Sequence, residues 1–372
     1  MNVEKAVPPY IRALHAYPPG KPIEELEREF GIADSVKLAS NENPLGPSPK
    51  AVAAMQDALA YVHRYPDGGC FYLRRALASR FGVSADAIVV GNGSNELIEL
   101  AVRTFLRPGE EAVMANQAFA IYQLVVQAHG GCSKQVPLRD YTHDLGAIAD
   151  AVSPATRMVF LANPNNPTGT IFFSSEWQEF LSVIPEDVVI VMDEAYAEFV
   201  DDSRYPDSLA ALREGRSIIV LRTFSKIYGL AGVRIGYGLT LPEMVDMMDR
   251  VRAPFNVNSL SQVAALAALD DDEHVARTRR INRAGMEFLV DGFRRMGLEV
   301  VPSWANFLMV RVGDGHRVYE ALLREGVIVR SMGFYGFPDF IRVTAGLPSE
   351  NERFLAALDR TLNGEGARGF PV

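Results

Sequence analysis

Short apolar runs alternate with helical stretches between residues 87 and 240, and this alternation constrains the fold more than any other feature of the sequence. The runs have the length and β-branched character of strands, and the segments between them have helical periodicity. Such alternation is typical of a parallel sheet covered by helices on both faces. The strand-like runs are 87–90, 112–114, 158–162, 188–192, 217–221 and 235–239. We therefore predict an α/β fold with a mainly parallel, seven-stranded sheet.

The pattern changes after Pro254, which indicates a second structural unit. Helical patterns over 259–269 and 272–296 are followed by strand patterns at 307–311 and 340–344, as in a small α+β domain. A chain of 372 residues is also too long for one small core. We predict an N-terminal arm (1–43) that packs on the small domain, a large domain (44–255) and a small C-terminal α+β domain (256–372).

Composition excludes several classes of function. The net charge of −9 and the pI near 5.3 argue against a nucleic-acid surface, which needs clustered Lys and Arg. No apolar run approaches the ~18 residues needed to cross a membrane, and the first residues lack a signal-peptide pattern. The two cysteines have no metal-ligand spacing, so no metal is expected. We expect a soluble, cytoplasmic protein.

Lys226 is the most informative single residue. It follows the strand pattern 217–221, lies among hydroxyl side chains and precedes Arg234 by eight positions. A buried lysine in such a setting is suited to form a Schiff base with the aldehyde of pyridoxal 5′-phosphate (PLP). Polar clusters at 163–169 and 193–196 also follow strand patterns. Because ligands bind beyond the carboxyl ends of parallel strands, we expect these three clusters to form one site.

The ring of PLP needs a carboxylate that keeps its nitrogen protonated and a flat side chain that stacks on it. Asp193 follows an apolar run and fits the first role, with the adjacent Glu194 as the competitor. Strand alternation sends neighbours to opposite faces, so only one of the two can point at the ring. Phe119 fits the stacking role, with Tyr122 as the rival.

The phenolic oxygen and the phosphate of PLP need hydrogen-bond donors. Asn166 and Tyr196 supply an amide and a hydroxyl for the oxygen, and Asn163 and Asn165 are alternatives in the same turn. The turn 91–95 precedes an amphipathic helix, and a helix N-terminus binds phosphate. The other side chains predicted for the phosphate are Thr223, Ser225 and Arg234.

The chain resembles fold-type I PLP-dependent aminotransferases and, within them, the histidinol-phosphate aminotransferases of histidine biosynthesis. The segments that carry the resemblance span nearly the whole chain; they are 37–46, 64–66, 163–169, 193–196, 222–234, 252–259 and 341–346. The resemblance implies the PLP-dependent transferase fold type I. It also implies a ping-pong transamination between histidinol phosphate, as small-molecule amino donor, and 2-oxoglutarate.

The resemblance also implies roles for individual residues. Lys226 is implied to be the Schiff-base lysine and proton carrier, with Asp193 at the ring nitrogen. Asn166 and Tyr196 are implied at the phenolic oxygen, and Phe119 stands where the family usually has a stacking tyrosine. The residues implied at the phosphate are Ser94, Asn95, Thr223, Ser225 and Arg234. Tyr65 is implied to reach the phosphate of the neighbouring subunit, which makes the protein a homodimer. Arg342 is implied to bind the anionic end of the substrate, with Arg330 and Tyr17 beside it.

Three alternatives stay open at this stage. An aromatic amino-acid aminotransferase is one, because an anion site that accepts both phosphate and carboxylate discriminates poorly between donors. A threonine-phosphate decarboxylase-like PLP lyase is another, because it needs the same cofactor residues. The third, the PLP-binding domain of a transcription regulator, is disfavoured because neither terminal segment has the length or charge of a DNA-binding module.

Overall fold

The computed structural model describes residues 3–364. The strands in chain order are β1 (Val36–Lys37), β2 (Ile88–Gly91), β3 (Glu111–Ala115), β4 (Cys132–Val136), β5 (Thr156–Ala162), β6 (Val189–Asp193), β7 (Ile218–Thr223), β8 (Gly236–Leu239), β9 (Val300–Val301), β10 (Phe307–Arg311), β11 (Val327–Ile328), β12 (Arg330–Ser331) and β13 (Phe340–Thr344). The α-helices are α1 (Val3–Ala6), α2 (Pro9–Arg12), α3 (Ile23–Phe30), α4 (Pro49–Ala58), α5 (Phe71–Phe81), α6 (Ser94–Phe105), α7 (Ile121–Ala128), α8 (Leu145–Asp150), α9 (Ser174–Val183), α10 (Ser208–Arg213), α11 (Pro242–Val251), α12 (Ser259–Leu269), α13 (Asp272–Arg295), α14 (Gly315–Arg324) and α15 (Pro348–Asn363).

The large sheet has seven strands in the order β2-β8-β7-β6-β5-β3-β4. Its pairs are parallel except those of β8, which runs antiparallel to both neighbours. The predicted fold class, a mainly parallel seven-stranded sheet with helices and a smaller α+β unit, is confirmed. Because β8 is reversed, its first residue lies at the edge where β7 ends. The connection 224–235 therefore leaves this edge and returns to it, carrying Lys226 and Arg234.

The burial of a strand decides whether its sequence contains an apolar run from which the strand can be predicted. The residues of β6 and most of those of β5 are buried, since helices cover both faces of the sheet. The strand β4 was missed because it lies at the edge and is polar, with Cys132 exposed and only Val136 fully buried. The helix predicted after β2 is confirmed as α6, which buries Leu97 and Leu100 and ends before Pro108.

The C-terminal unit contains a four-stranded sheet, β12-β13-β10-β9, packed against α13, α14 and α15. The strands predicted at 307–311 and 340–344 are confirmed as β10 and β13. The N-terminal strand β1 pairs with β11 of this unit. The helix α12 instead packs on α4 and α5, and its buried alanines belong to the core of the large sheet. The division of the chain at residues 43 and 255 stays a prediction.

None of the helices in the described part of the chain has both the length and the apolar character needed to cross a membrane.

Candidate active site

A cavity of about 360 Å³ opens at the carboxyl edge of the large sheet. Strands β2, β3, β5, β6 and β7 all end at this edge, so the loops that follow them converge there. Every predicted site residue except Tyr65 lines the cavity: Tyr17, Ser94, Asn95, Phe119, Asn166, Asp193, Tyr196, Thr223, Ser225, Lys226, Arg234, Arg330 and Arg342. The structure thus brings together side chains separated by more than three hundred positions in the sequence.

Lys226 projects into the cavity from the connection between β7 and β8. Its Nζ donates a hydrogen bond to the carbonyl oxygen of Ser40 at 3.1 Å and lies 5.6 Å from the ring centroid of Tyr196. Burial, reinforced by the positive charge of Arg342, lowers the pKa of Lys226 to about 8. A larger fraction of the amine is therefore neutral near neutral pH than in an ordinary lysine, and the neutral amine is the nucleophilic form.

Asp193 is the last residue of β6 and is buried at the base of the cavity. Its carboxylate accepts hydrogen bonds from the Tyr122 hydroxyl at 2.7 Å and from the backbone N–H of Ala195 at 3.1 Å. Burial raises the pKa of Asp193, and these two hydrogen bonds oppose the rise. The neighbouring Glu194 does not line the cavity and instead binds Arg222 at 2.6 Å. Of the two carboxylates left open by the sequence, only Asp193 faces the site.

Tyr196 follows the same strand and presents its hydroxyl to the cavity. The side chain of Asn41 donates a hydrogen bond to this oxygen at 2.8 Å. Burial raises the pKa of Tyr196 to about 12, so the phenol keeps its proton and can donate it to an acceptor in the cavity.

Among the three asparagines of the turn 163–169, Asn166 is the one that lines the cavity. Its Oδ1 accepts a hydrogen bond from Arg342. Asn163 instead bonds to the backbone of Phe172, and Asn165 donates to the carbonyl oxygen of Gln117. The latter two side chains stabilise the turn, which leaves the Asn166 amide available to a ligand.

One corner of the cavity is suited to a phosphate group. It contains the N-terminus of α6 at Ser94, where unpaired backbone N–H groups favour an anion. Arg234 lies beside it and donates to the Ser225 hydroxyl at 3.4 Å. Gly93 has φ +81°, and a Cβ there would lie 2.4 Å from Nη2 of Arg234. The glycine therefore lets the helix terminus and the guanidinium approach the same point.

Two arginines oppose each other at the other end of the cavity. Arg330 and Arg342 are Cα partners on the antiparallel strands β12 and β13. Like charges in that position repel, and no carboxylate in residues 3–364 lies within ion-pair distance of either. Arg342 is buried, and its Nε has no hydrogen-bond partner in the described chain. Arg330 donates to the carbonyl oxygen of Pro18 at 2.6 Å and lies over the ring of Tyr17. An anionic ligand would relieve the repulsion.

Tyr65 lies outside the cavity of its own chain. The residue is 83% exposed, and its ring stacks on Phe255 with ring centroids 4.8 Å apart. Within one subunit it therefore makes no contribution to the site.

Sequence reasoning missed several residues of the cavity. Ser40 and Asn41 contact Lys226 and Tyr196, and Glu42 also lines the cavity. Their signal in the sequence is the polar run 40–43, which Leu38 and Ala39 separate from β1; it carries part of the resemblance but by itself predicts no role for these side chains. Tyr122 was considered only for stacking. It lines the cavity together with Phe119, and its hydroxyl binds Asp193.

The fold and the cavity define the class of this protein as a fold-type I transferase. The chain belongs to the aminotransferase class I and II family, whose pattern it matches over residues 33–358. The resemblance stated from the sequence, and with it the prediction of an aminotransferase, is confirmed.

Proteins similar to this chain carry a more specific name. Histidinol-phosphate aminotransferase 2 of Nitrosospira multiformis is 51% identical over 361 residues, which cover 96% of this chain and 92% of that protein. Histidinol-phosphate aminotransferase of Moorella thermoacetica is 48% identical over 354 residues, which cover 95% of this chain and 92% of that protein. The crystal structure of histidinol-phosphate aminotransferase from Sinorhizobium meliloti in complex with pyridoxal-5′-phosphate has a TM-score of 0.89 at 29% identity, and covers 95% of this chain and 97% of that chain.

Proposed function

We propose that this protein is a PLP-dependent aminotransferase that transfers the amino group of histidinol phosphate to 2-oxoglutarate. The observation that carries the proposal is the pair of opposed arginines, Arg330 and Arg342, in the same cavity as a buried lysine of lowered pKa. A donor with a phosphate and an acceptor with carboxylates both supply the anion that this pair lacks. The identity of about half the chain to proteins named histidinol-phosphate aminotransferase supports the choice of donor.

The cavity fits PLP at each of its polar groups. Ser94, Asn95, Thr223, Ser225 and Arg234 would hold the phosphate, because they surround the N-terminus of α6 where the glycine leaves room. The remaining positions in the proposal are Lys226 at the aldehyde carbon, Asp193 at the ring nitrogen, Asn166 and Tyr196 at the phenolic oxygen, and Phe119 over the ring. When bound, PLP withdraws electrons from the substrate carbon that loses its proton.

Proton transfer is the task of Lys226. Lys226 would bind the aldehyde group in the resting enzyme, and its free amine would lie near the carbon of a bound substrate that loses its proton. With a pKa of about 8, it can accept a proton from that carbon and release it again near neutral pH. Asp193 would hold a proton on the ring nitrogen of PLP, because a buried carboxylate is stabilised by a positively charged partner.

Arg342 holds the anionic end of donor and acceptor. Its guanidinium is fixed by hydrogen bonds to Asn166 and to the carbonyl oxygen of Ala39 at 2.8 Å, so its orientation is set before the substrate arrives. A planar fork held in this way can bind phosphate or carboxylate with two parallel bonds.

We expect Arg342→Lys to lower kcat/KM in both half-reactions, because an ammonium cannot reproduce the fork. Truncation to Ala should cost ~2 to 5 kcal/mol in kcat/KM, the loss typical of a buried charge pair. Stopped-flow measurement of each half-reaction gives the two values, and Arg311→Lys, on the exposed end of β10, is the matched control. Normal rates in both directions for Arg342→Lys would place the anion elsewhere, with Arg330 the first candidate.

A donor screen tests the proposed function. Histidinol phosphate, phenylalanine, tyrosine and leucine are each assayed with 2-oxoglutarate, and we expect kcat/KM to be highest for histidinol phosphate. A higher value for phenylalanine or tyrosine would make the protein an aromatic amino-acid aminotransferase. Product formation from a phosphorylated amino acid without 2-oxoglutarate, with loss of carbon dioxide, would instead identify a lyase.

We further propose that the active protein is a homodimer in which Tyr65 binds the cofactor phosphate of the neighbouring subunit. Support comes from the exposed large apolar side chains that lie near Tyr65 in the sequence or stack on it, because exposed apolar surface is typical of an interface. These side chains are Leu59, Tyr61, Val62, Phe71, Tyr72 and Phe255, of which Phe255 stacks on Tyr65.

Subunit mixing tests this arrangement. In a heterodimer of one Tyr65→Ala chain and one Lys226→Ala chain, one of the two sites contains both wild-type residues. We therefore expect the mixed sample, after unfolding and refolding together, to exceed the summed activity of its two parents. A mixture no more active than the parents, or a monomer in analytical ultracentrifugation, would contradict the proposal.

A further inference from the structure

Glu42 occupies a position in the cavity that the proposed mechanism does not use. Four cationic side chains and two carboxylates line the cavity within the described chain, and the carboxylates belong to Asp193 and Glu42. Asp193 is buried and engaged by Tyr122 and Ala195. Glu42 is 44% exposed at the rim, where Lys37 binds its Oε1 at 3.0 Å. A carboxylate has about four acceptor sites, so one ammonium leaves room for a donor from a ligand.

The backbone around Glu42 is held rigidly from both sides. Asn41 has φ +55°, donates its backbone N–H to the Thr344 hydroxyl at 3.0 Å and accepts at its carbonyl from Asn306 at 3.1 Å. Asn43 donates to the carbonyl oxygen of Ile227 at 2.9 Å. Asparagine adopts the left-handed conformation more readily than most residues, and these contacts fix the main chain on both sides of Glu42. The main chain that carries the Glu42 carboxylate is therefore held at the rim of the cavity.

The charge of Glu42 reaches the reacting centre. Burial and Arg342 lower the pKa of Lys226, and Glu42 is the strongest of the influences that oppose them, ahead of Asp193. Glu42 lines the same cavity as Lys226 and Arg342 and is partly exposed there, so its carboxylate can accept a hydrogen bond from the remaining substituent of a substrate bound at those two residues. That substituent is the side chain of the donor.

We propose that Glu42 selects amino donors whose side chain presents an N–H group, as the imidazole ring of histidinol phosphate does. The inference deepens the proposed function and rests on it for the identity of the donor. An imidazole N–H gains a charge-assisted hydrogen bond to the carboxylate. A phenyl or isobutyl group covers the carboxylate without offering a donor, and the lost hydration is not replaced. Glu42 would therefore favour imidazole donors through a hydrogen bond and disfavour apolar donors through the loss of its own hydration.

Histidine and phenylalanine are a matched pair of donors for the test, because they share the carboxylate and differ in the ring. The ratio of kcat/KM for histidine to that for phenylalanine is measured with wild type and with Glu42→Gln, alongside histidinol phosphate. We expect Glu42→Gln to lower the ratio by up to about tenfold, because the amide oxygen can still accept a hydrogen bond but lacks the charge that strengthens it. For a donor that turns over slowly, dissociation constants from calorimetry report the part of this preference that arises in binding.

Lys37→Gln is the control, because it breaks the same ion pair from the other end. It should leave the ratio at the wild-type value, since the carboxylate is still present. An unchanged ratio in Glu42→Gln, an equal loss for both donors, or the same fall in Lys37→Gln would each overturn the inference. Failure of wild type to use histidinol phosphate would disprove the proposed donor instead, and the histidine to phenylalanine ratio would still report on Glu42.

Discussion

Replacement of Lys226 by alanine should abolish multiple-turnover transamination and leave the fold intact. The variant loses the amine that is proposed both to bind the cofactor and to move the proton, so we expect kcat to fall on the order of 10⁴-fold or more. The phosphate corner and Asp193 remain, so PLP should still bind without a covalent bond. Lys226 makes one hydrogen bond to a backbone oxygen, and its removal takes a desolvated amine out of the site, so the melting temperature should not fall.

The measurement combines steady-state kinetics with absorption spectra. Wild type should show the visible band of a cofactor bound covalently to lysine, and the variant should lack it. Lys134→Ala, an exposed lysine on β4, is the control and should behave as wild type. Repeated turnover by Lys226→Ala would show that another amine carries out the reaction.

The second large effect is expected for Asp193→Asn. An amide of the same size cannot hold a proton on the ring nitrogen, so we expect kcat to fall on the order of 100-fold or more, as when one preorganised electrostatic group is lost. Cofactor affinity should fall much less, because the phosphate corner is untouched. Single-turnover kinetics, together with the dissociation constant of PLP, separate these two effects.

Glu194→Gln is the matched control for Asp193→Asn. Glu194 binds Arg222 at 2.6 Å and faces away from the cavity, so its loss should act on stability rather than on rate. Oε1 of Glu198 lies 3.8 Å from Nη1 of Arg222, so the guanidinium keeps one carboxylate partner in the variant. We therefore expect the free energy of unfolding to fall by on the order of 2 kcal/mol. Equal losses of kcat in the two variants would mean that the ring-nitrogen carboxylate has been misassigned.

The contrast between Asp193 and Glu194 shows what sequence alone can predict about this site. A polar residue after a buried strand marks the carboxyl edge of the sheet, and that rule located Lys226, Asp193 and Asn166. The choice between adjacent carboxylates depends on which face of the sheet each one takes at the end of β6. The pairing of β6 with β5 and β7 sets these faces. A fully buried strand is apolar on both faces, so its sequence pattern does not show which residue takes which face.

The contacts of residues 40–42 could not be predicted for a different reason. Asn41 reaches Tyr196 across 155 positions and Thr344 across 303 positions of the sequence. No local pattern specifies such pairs, because they depend on how the N-terminal segment crosses between the large sheet and the C-terminal unit. The strands of the two sheets were predictable because their signal is local. The rim of the cavity was not.

The reversal of β8 has a consequence for how this enzyme can change. Surface loops usually accept insertions at little cost, because closing a slightly longer loop is entropically cheap. The connection 224–235 is different, since the proposed covalent anchor and the proposed phosphate anchor both belong to it. Its middle is also pinned, because a Cβ at Gly229 would lie 2.1 Å from the carbonyl oxygen of Gly46. The length of this connection sets the distance between the two proposed anchors and so has to match the length of the cofactor. We therefore expect changes of substrate to arise in other loops, while this connection keeps its length.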